Sequence, residues 1–105
     1  AADQLAAEGI NAEVLDLRSL SPWDESAIVE SIEKTGRLVV VDEDNPRCSM
    51  ASDVAAIAAS QALPYLDAPV QMVTAPHTPV PFSPPLEDFY VPNADRVINA
   101  VRECL

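Results

Sequence analysis

Cys48 and His77 are the side chains of this sequence best suited to covalent or acid–base chemistry, His77 being its only histidine and Cys48 one of two cysteines. A thiol beside an imidazole can act as a nucleophile with its base. In open α/β sheets ligands gather beyond the carboxyl ends of the strands, and the segments expected there bring Asp16, Arg18, Glu43, Asp44 and Arg47 toward the same rim. The run Asp42-Glu43-Asp44 also offers carboxylates to a divalent cation. Each group has a plainer reading, and the sequence favours it. No activating motif surrounds Cys48, and no third group that would orient the imidazole can be named. His77 lies between Pro76 and Pro79, a loop setting in which backbone hydrogen bonding is the usual role, and one imidazole does not make a zinc site. Successive residues of an extended chain face opposite sides, so three consecutive carboxylates cannot converge on one ion. A solvated turn is expected there, and no catalytic or metal-binding residue is assigned.

Composition narrows the chemistry further. Seventeen acidic residues against six basic ones leave a formal net charge of −11. Such a surface repels phosphate backbones and anionic lipid, so nucleic acid and membrane are poor partners and a basic protein is the natural complement. Only two glycines occur, Gly9 and Gly36, and no G-x-G-x-x-G or phosphate loop is present, so a backbone cradle for a nucleotide is not expected. Cys48 and Cys104 have neither zinc-site nor C-x-x-C spacing, which fits a reducing compartment. With no basic-then-apolar leader and no apolar run of bilayer length, the chain reads as soluble and intracellular.

The elements that must position these loops alternate between helical and extended periods. Residues 1–105 suffice for one domain, and 49% hydrophobic residues are enough for a core built from Val, Ile, Leu and Ala. Residues 3–8 read as a helix closed by Gly9, and "AEVLDL", residues 12–17, as a short strand. In "SPWDESAIVESIEKTG" the pattern predicts a helix with Ser21 as N-cap, Pro22 in the first turn, Ile28, Val29 and Ile32 on one face, and Gly36 at the end. "RLVVVDE" is an uninterrupted β-branched run, expected to be a strand buried on both faces of a parallel sheet. A helix over residues 49–62, a strand in "PVQMVTA", and a helix capped by Asn93 with Val97, Ile98 and Val101 facing inward complete the order. That order predicts an α/β domain with a mostly parallel sheet and right-handed crossovers. The opening helix has no strand before it to cross over from, so a first strand is expected upstream of residue 1.

"TAPHTPVPFSPPLE", residues 74–87, contains five prolines. Proline fixes φ and extends its predecessor, so the stretch is stiff, unlike a Gly/Ser tether. It leads with Val80, Phe82 and Leu86 into Phe89 and Tyr90, apolar groups that a free linker has no reason to carry. An ordered strap, packed on this domain or on a neighbouring subunit, is the expectation.

"DLRSLSPWD", "KTGRLVVVDE", "LDAPV" and "TAPHTPVPFSPPLE" together resemble the C-terminal domain of the β subunit of thiamine-diphosphate-dependent 2-oxo acid dehydrogenases, within the transketolase C-terminal-domain family. Members act on pyruvate, branched-chain 2-oxo acids or acetoin, and the resemblance covers nearly the whole chain. It implies a three-layer domain with a mostly parallel sheet and helices on both faces. It also implies that thiamine diphosphate and Mg²⁺ are held elsewhere in the parent enzyme, between the α subunit and the N-terminal part of the β subunit, so that this domain alone is inactive. Assembly into α₂β₂ tetramers with the α subunit and a second β subunit, and docking of the basic peripheral subunit-binding domain of the acyltransferase, are the implied roles. Asp67, in "LDAPV", and the carboxylate of Leu105 are the implied anchors for that docking. The implied location is the bacterial cytoplasm or the mitochondrial matrix. In one place the pattern departs: Cys48, Ser49 and Met50 stand where many relatives have a glycine-rich segment. A transketolase or deoxyxylulose-phosphate-synthase type of ketol transfer is the enzymatic alternative, though phosphorylated sugars call for more basic residues than six. A free-standing interaction module is the non-enzymatic one.

Overall fold

Helix α2, Glu25–Thr35, is delimited by its own residues in the computed structural model, which describes residues 1–105. The Asp24 carboxylate accepts from Ala27 N at 3.0 Å, satisfying an amide that has no partner within the helix. The helix therefore starts three residues later than the Ser21 cap would place it. Trp23 lies just before this cap and packs against the core. At the other end Gly36 takes a left-handed φ of 70° and donates its amide to Ile32 O at 2.8 Å.

Helix α1, Ala2–Ala7, precedes it and buries Leu5. Strand β1, Val39–Val41, follows α2. Helix α3, Met50–Gln61, opens with a reciprocal cap: Ser49 Oγ accepts from Ser52 N while Ser52 Oγ accepts from Ser49 N. A single 3₁₀ turn, Leu63–Tyr65, leads to strand β2, Gln71–Val73, which pairs in parallel with β1 in the register Val39 to Gln71. Helix α5, Ala94–Glu103, is capped by Asn93, whose Oδ1 accepts from Arg96 N at 3.0 Å.

The result is three layers, as the resemblance implied. Ile28 and Ile32 of α2 meet Val54 and Ala58 of α3 and Ala62 beyond it, with Leu38 and Val40 from the sheet joining them. Alternation turns Val39 and Val41 to the opposite face, where α5 packs across both strands with Ile98 buried.

Two expectations fail in instructive ways. Residues 12–17 form no strand, and the sheet has two strands rather than three. They lie along a groove of about 1040 Å³ whose lining includes Val39 and Val41 of β1 together with Val97 and Val101 of α5. Ladder bonds need backbones about 4.8 Å apart, and the groove separates this segment from β1. Val14 and Leu15 are left exposed, and Val41, expected to be buried on both sides, is half exposed. The second failure is in the proline-rich strap, where residues Pro84–Tyr90 form a short helix, α4. Two prolines at its start lack only amides that would have had no partner there. None of its residues is buried, and Phe82 just before it is fully exposed, so these side chains do not pack on their own domain.

Candidate functional site

At the carboxyl ends of the strands the acidic run turns inward on its own backbone. Asp42 accepts from Asp44 N through Oδ1 and from Ala51 N through Oδ2, each at 3.1 Å, so it braces the start of α3. Asp44 Oδ1 accepts from Asn45 N at 2.7 Å, and Ala75 N donates to Asp44 O at 3.1 Å, joining the two loops. His77 Nδ1 faces Asn45 Oδ1 at 3.3 Å, and Asn45 Oδ1 also accepts from Arg47 N. The histidine is thus a loop brace bonded to an amide side chain rather than to backbone. Cys48 is exposed, takes a φ of 52°, and makes no hydrogen bond to His77. Arg18 pairs with Asp16 at 3.1 Å, both side chains largely in solvent. No group of three His, Cys, Asp or Glu residues is arranged to hold a metal ion. The strand-end loops do converge, and what they assemble is a set of turns.

The opposite end of the sheet has a different character. In a parallel α/β layer the helices run against the strands, so the carboxyl ends of α2, α3 and α5 all lie near the strands' amino ends. Arg37 stands just before β1 and connects this end: its Nε donates to Cys104 O at 2.7 Å, and its Nη1 lies 3.9 Å from Asp67 Oδ2. Asp67 N in turn donates to Gly36 O at 2.8 Å. Asp67 and the Leu105 end of the chain are therefore gathered around one guanidinium. A Cβ on Gly36 would run into the Asp67 carboxylate, with Cγ at 3.0 Å, so glycine there is needed both for its φ and for the approach of Asp67.

The electrostatics of this face follow from its construction. Each helix carboxyl end carries roughly half a negative charge in unpaired carbonyls, and three of them lie here. Asp67 adds a full charge and keeps 67% of its side chain exposed, so a solvent-facing partner can reach it. Arg37 offsets part of that field, yet it is turned toward Cys104 O and its contact with Asp67 is long. Cys104 is buried, and that burial pushes its thiol up from its usual 9.0 against the opposing effect of Arg37. Arg102 donates to both carboxylate oxygens of Glu8 at 2.8 Å, fixing the end of α5 to the residue after α1. That bond raises the guanidinium above its ordinary value.

Arg37 was not singled out by the sequence, and Gly36 was read only as the end of α2. The available signal was positional: a basic residue directly after a helix-closing glycine and before a strand must lie at the strand's amino end, away from the rim where ligands are usually sought.

The family described as "Transketolase, C-terminal domain" matches residues 1–97. The chain is 58% identical over 105 residues to the acetoin:2,6-dichlorophenolindophenol oxidoreductase subunit beta of Bacillus subtilis, covering all of this chain and 31% of that protein. It is 55% identical over 105 residues to the subunit of the same name from Cupriavidus necator, again all of this chain and 31% of the relative. To the pyruvate dehydrogenase E1 component subunit beta of Rhizobium meliloti it is 40% identical over 102 residues, covering 97% of this chain and 22% of that protein. The chain thus spans less than a third of the length of these curated relatives.

Proposed function

This chain belongs to the transketolase C-terminal domain family, and from that premise we propose that it is the non-catalytic assembly and docking domain of a β subunit in a thiamine-dependent 2-oxo acid or acetoin dehydrogenase. The parent enzyme decarboxylates a 2-oxo acid, or cleaves acetoin, and acylates a lipoyl group on the acyltransferase component. Its partners are an α subunit and a second β subunit in an α₂β₂ assembly, in the bacterial cytoplasm or the mitochondrial matrix.

The observation that carries this reading is the gathering of Asp67 and the Cys104 carbonyl, next to Leu105, around Arg37 on an exposed face where three helices end. A basic peripheral subunit-binding domain is the complement such a face selects, because complementary charge raises the encounter rate and fixes register. We place thiamine diphosphate and Mg²⁺ in the remainder of the parent. The chemistry of the donors here supports that placement, since Asp42 and Asp44 use carboxylate oxygens on backbone amides. The groove beside β1 has the character of a site that a strand from the preceding part of the parent subunit would fill.

Titration of the assembled parent enzyme with the isolated acyltransferase docking domain tests the reading. Affinity should fall steadily as ionic strength rises from about 0.01 to 0.15 M, over which the screening length shortens from about 30 to 8 Å. Affinity that is flat over this range, or no binding at all, contradicts it.

A further inference from the structure

The strap that follows β2 presents aromatic side chains to solvent on a braced scaffold. Tyr90 Oη donates to Thr78 O at 3.5 Å, closing a loop over residues 78–90. Within it Phe82 is 100% exposed and Phe89 79%, with Val80 and Leu86 also mostly in solvent. Leu86 and Phe89 are three apart in α4 and so share one side of it. Proline fixes much of the intervening backbone, so little conformational entropy remains to be lost when the loop meets a partner. Exposed phenylalanines on a stiffened loop are the kind of anchor that fills the centre of a protein interface.

Charge identifies the occupant. Glu87 and Asp88 flank the aromatic positions, and no lysine or arginine occurs anywhere from residue 48 to residue 95. A second copy of this chain would bring the same acids, and another net charge of −11, against the strap. We infer that the strap is an interface for a different subunit, one that offers an apolar socket rimmed by lysine or arginine, and that Phe82 and Phe89 are its anchors. The inference rests on the reading that the chain belongs to a heteromeric β subunit, and it adds a second interface separate from the Asp67 face.

The test uses the full-length β subunit and its α counterpart. Hydroxyl-radical footprinting of the wild-type proteins should show Phe82 and Phe89 oxidised in the lone subunit and protected several-fold in the assembled enzyme. Phe82→Ser combined with Phe89→Ser should leave the melting temperature of the lone subunit unchanged, because both rings are in solvent, and raise the dissociation constant of the heteromer about tenfold or more. Equal oxidation in the free and assembled states would overturn the inference. So would protection in the dilute lone subunit, which would mean the rest of the same chain covers the strap, and so would protection that appears only as the lone subunit is concentrated, which would mean a second copy does. If Asp67→Lys leaves docking of the acyltransferase domain intact while the strap results hold, the docking face has failed and the strap stands.

Discussion

Arg37 Nε donates to the carbonyl oxygen of Cys104 at 2.7 Å, joining residues 67 positions apart. The bond holds the carboxyl end of α5 against the start of β1, and the same guanidinium faces Asp67. A charge-assisted bond of this kind contributes about 1–2 kcal/mol when half exposed. Arg37→Met should therefore lower the unfolding free energy of this chain by about that amount, and speed amide exchange at the end of α5 well beyond the rest of the helix. Urea denaturation with hydrogen exchange checks it; unchanged exchange at residues 103–105 would show that the bond does not hold the terminus.

Gly36 supports the same face from below. Alanine at this position would carry a left-handed backbone, costing about 1–2 kcal/mol, and its Cβ would displace Asp67. Gly36→Ala should therefore lose both stability and affinity for a basic docking domain. Loss of stability with docking affinity intact would mean that the position of Asp67 is unimportant.

Most of the element order was legible in the sequence because local rules dominate there. Gly36 closes α2 and Asn93 caps α5 as the pattern predicts, and the β-branched run at Val39–Val41 is a parallel strand. What failed depends on neighbours. "AEVLDL" has strand composition, but a strand exists only where another backbone lies beside it, and Val39 and Val41 face this segment across a groove. α4 was missed because two prolines suggested an extended chain, although proline is well suited to a first helical turn. Cys48 and His77 were legible as loop residues; Arg37 was not legible as an organiser, since its contact with Cys104 O spans nearly two thirds of the chain.

Cys48 occupies a left-handed conformation that glycine adopts without cost. Cys48→Gly should stabilise the chain by about 0.5–1 kcal/mol, the relief of backbone strain less glycine's greater unfolded-state entropy. At this size that corresponds to a rise in melting temperature of about 2–8 °C. In the wild type a thiol reagent should label exposed Cys48 at once and Cys104 only on unfolding, because Cys104 is buried out of the reagent's reach. A destabilised Cys48→Gly would show that the loop's geometry depends on the cysteine side chain.

Glu13 gives the chain a pH-dependent tie between the segment after α1 and the last turn of α2. Hydrogen bonds from Lys34, and then from Ser31, hold its carboxyl below the usual 4.5. A depressed carboxyl stabilises the fold fully above its unfolded value, and the contribution disappears as pH falls through the lower folded value. Wild type should thus be more stable than Lys34→Met near neutral pH, and the difference should shrink as pH falls through and below the usual carboxylate range. A constant difference across that range would mean that Lys34 acts through packing rather than through charge.

The docking claim is tested most directly by two variants of equal charge change and different position. Asp67 lies before β2, beside the amino end of β1, whereas Glu43 is exposed just beyond the carboxyl end of β1, at the opposite end of the sheet from Arg37. Calorimetric titration of the full-length parent enzyme with the acyltransferase docking domain should show affinity reduced about tenfold or more by Asp67→Lys and less than about threefold by Glu43→Lys. Equal losses from the two would mean that only overall charge matters, and no loss from Asp67→Lys would contradict the account outright.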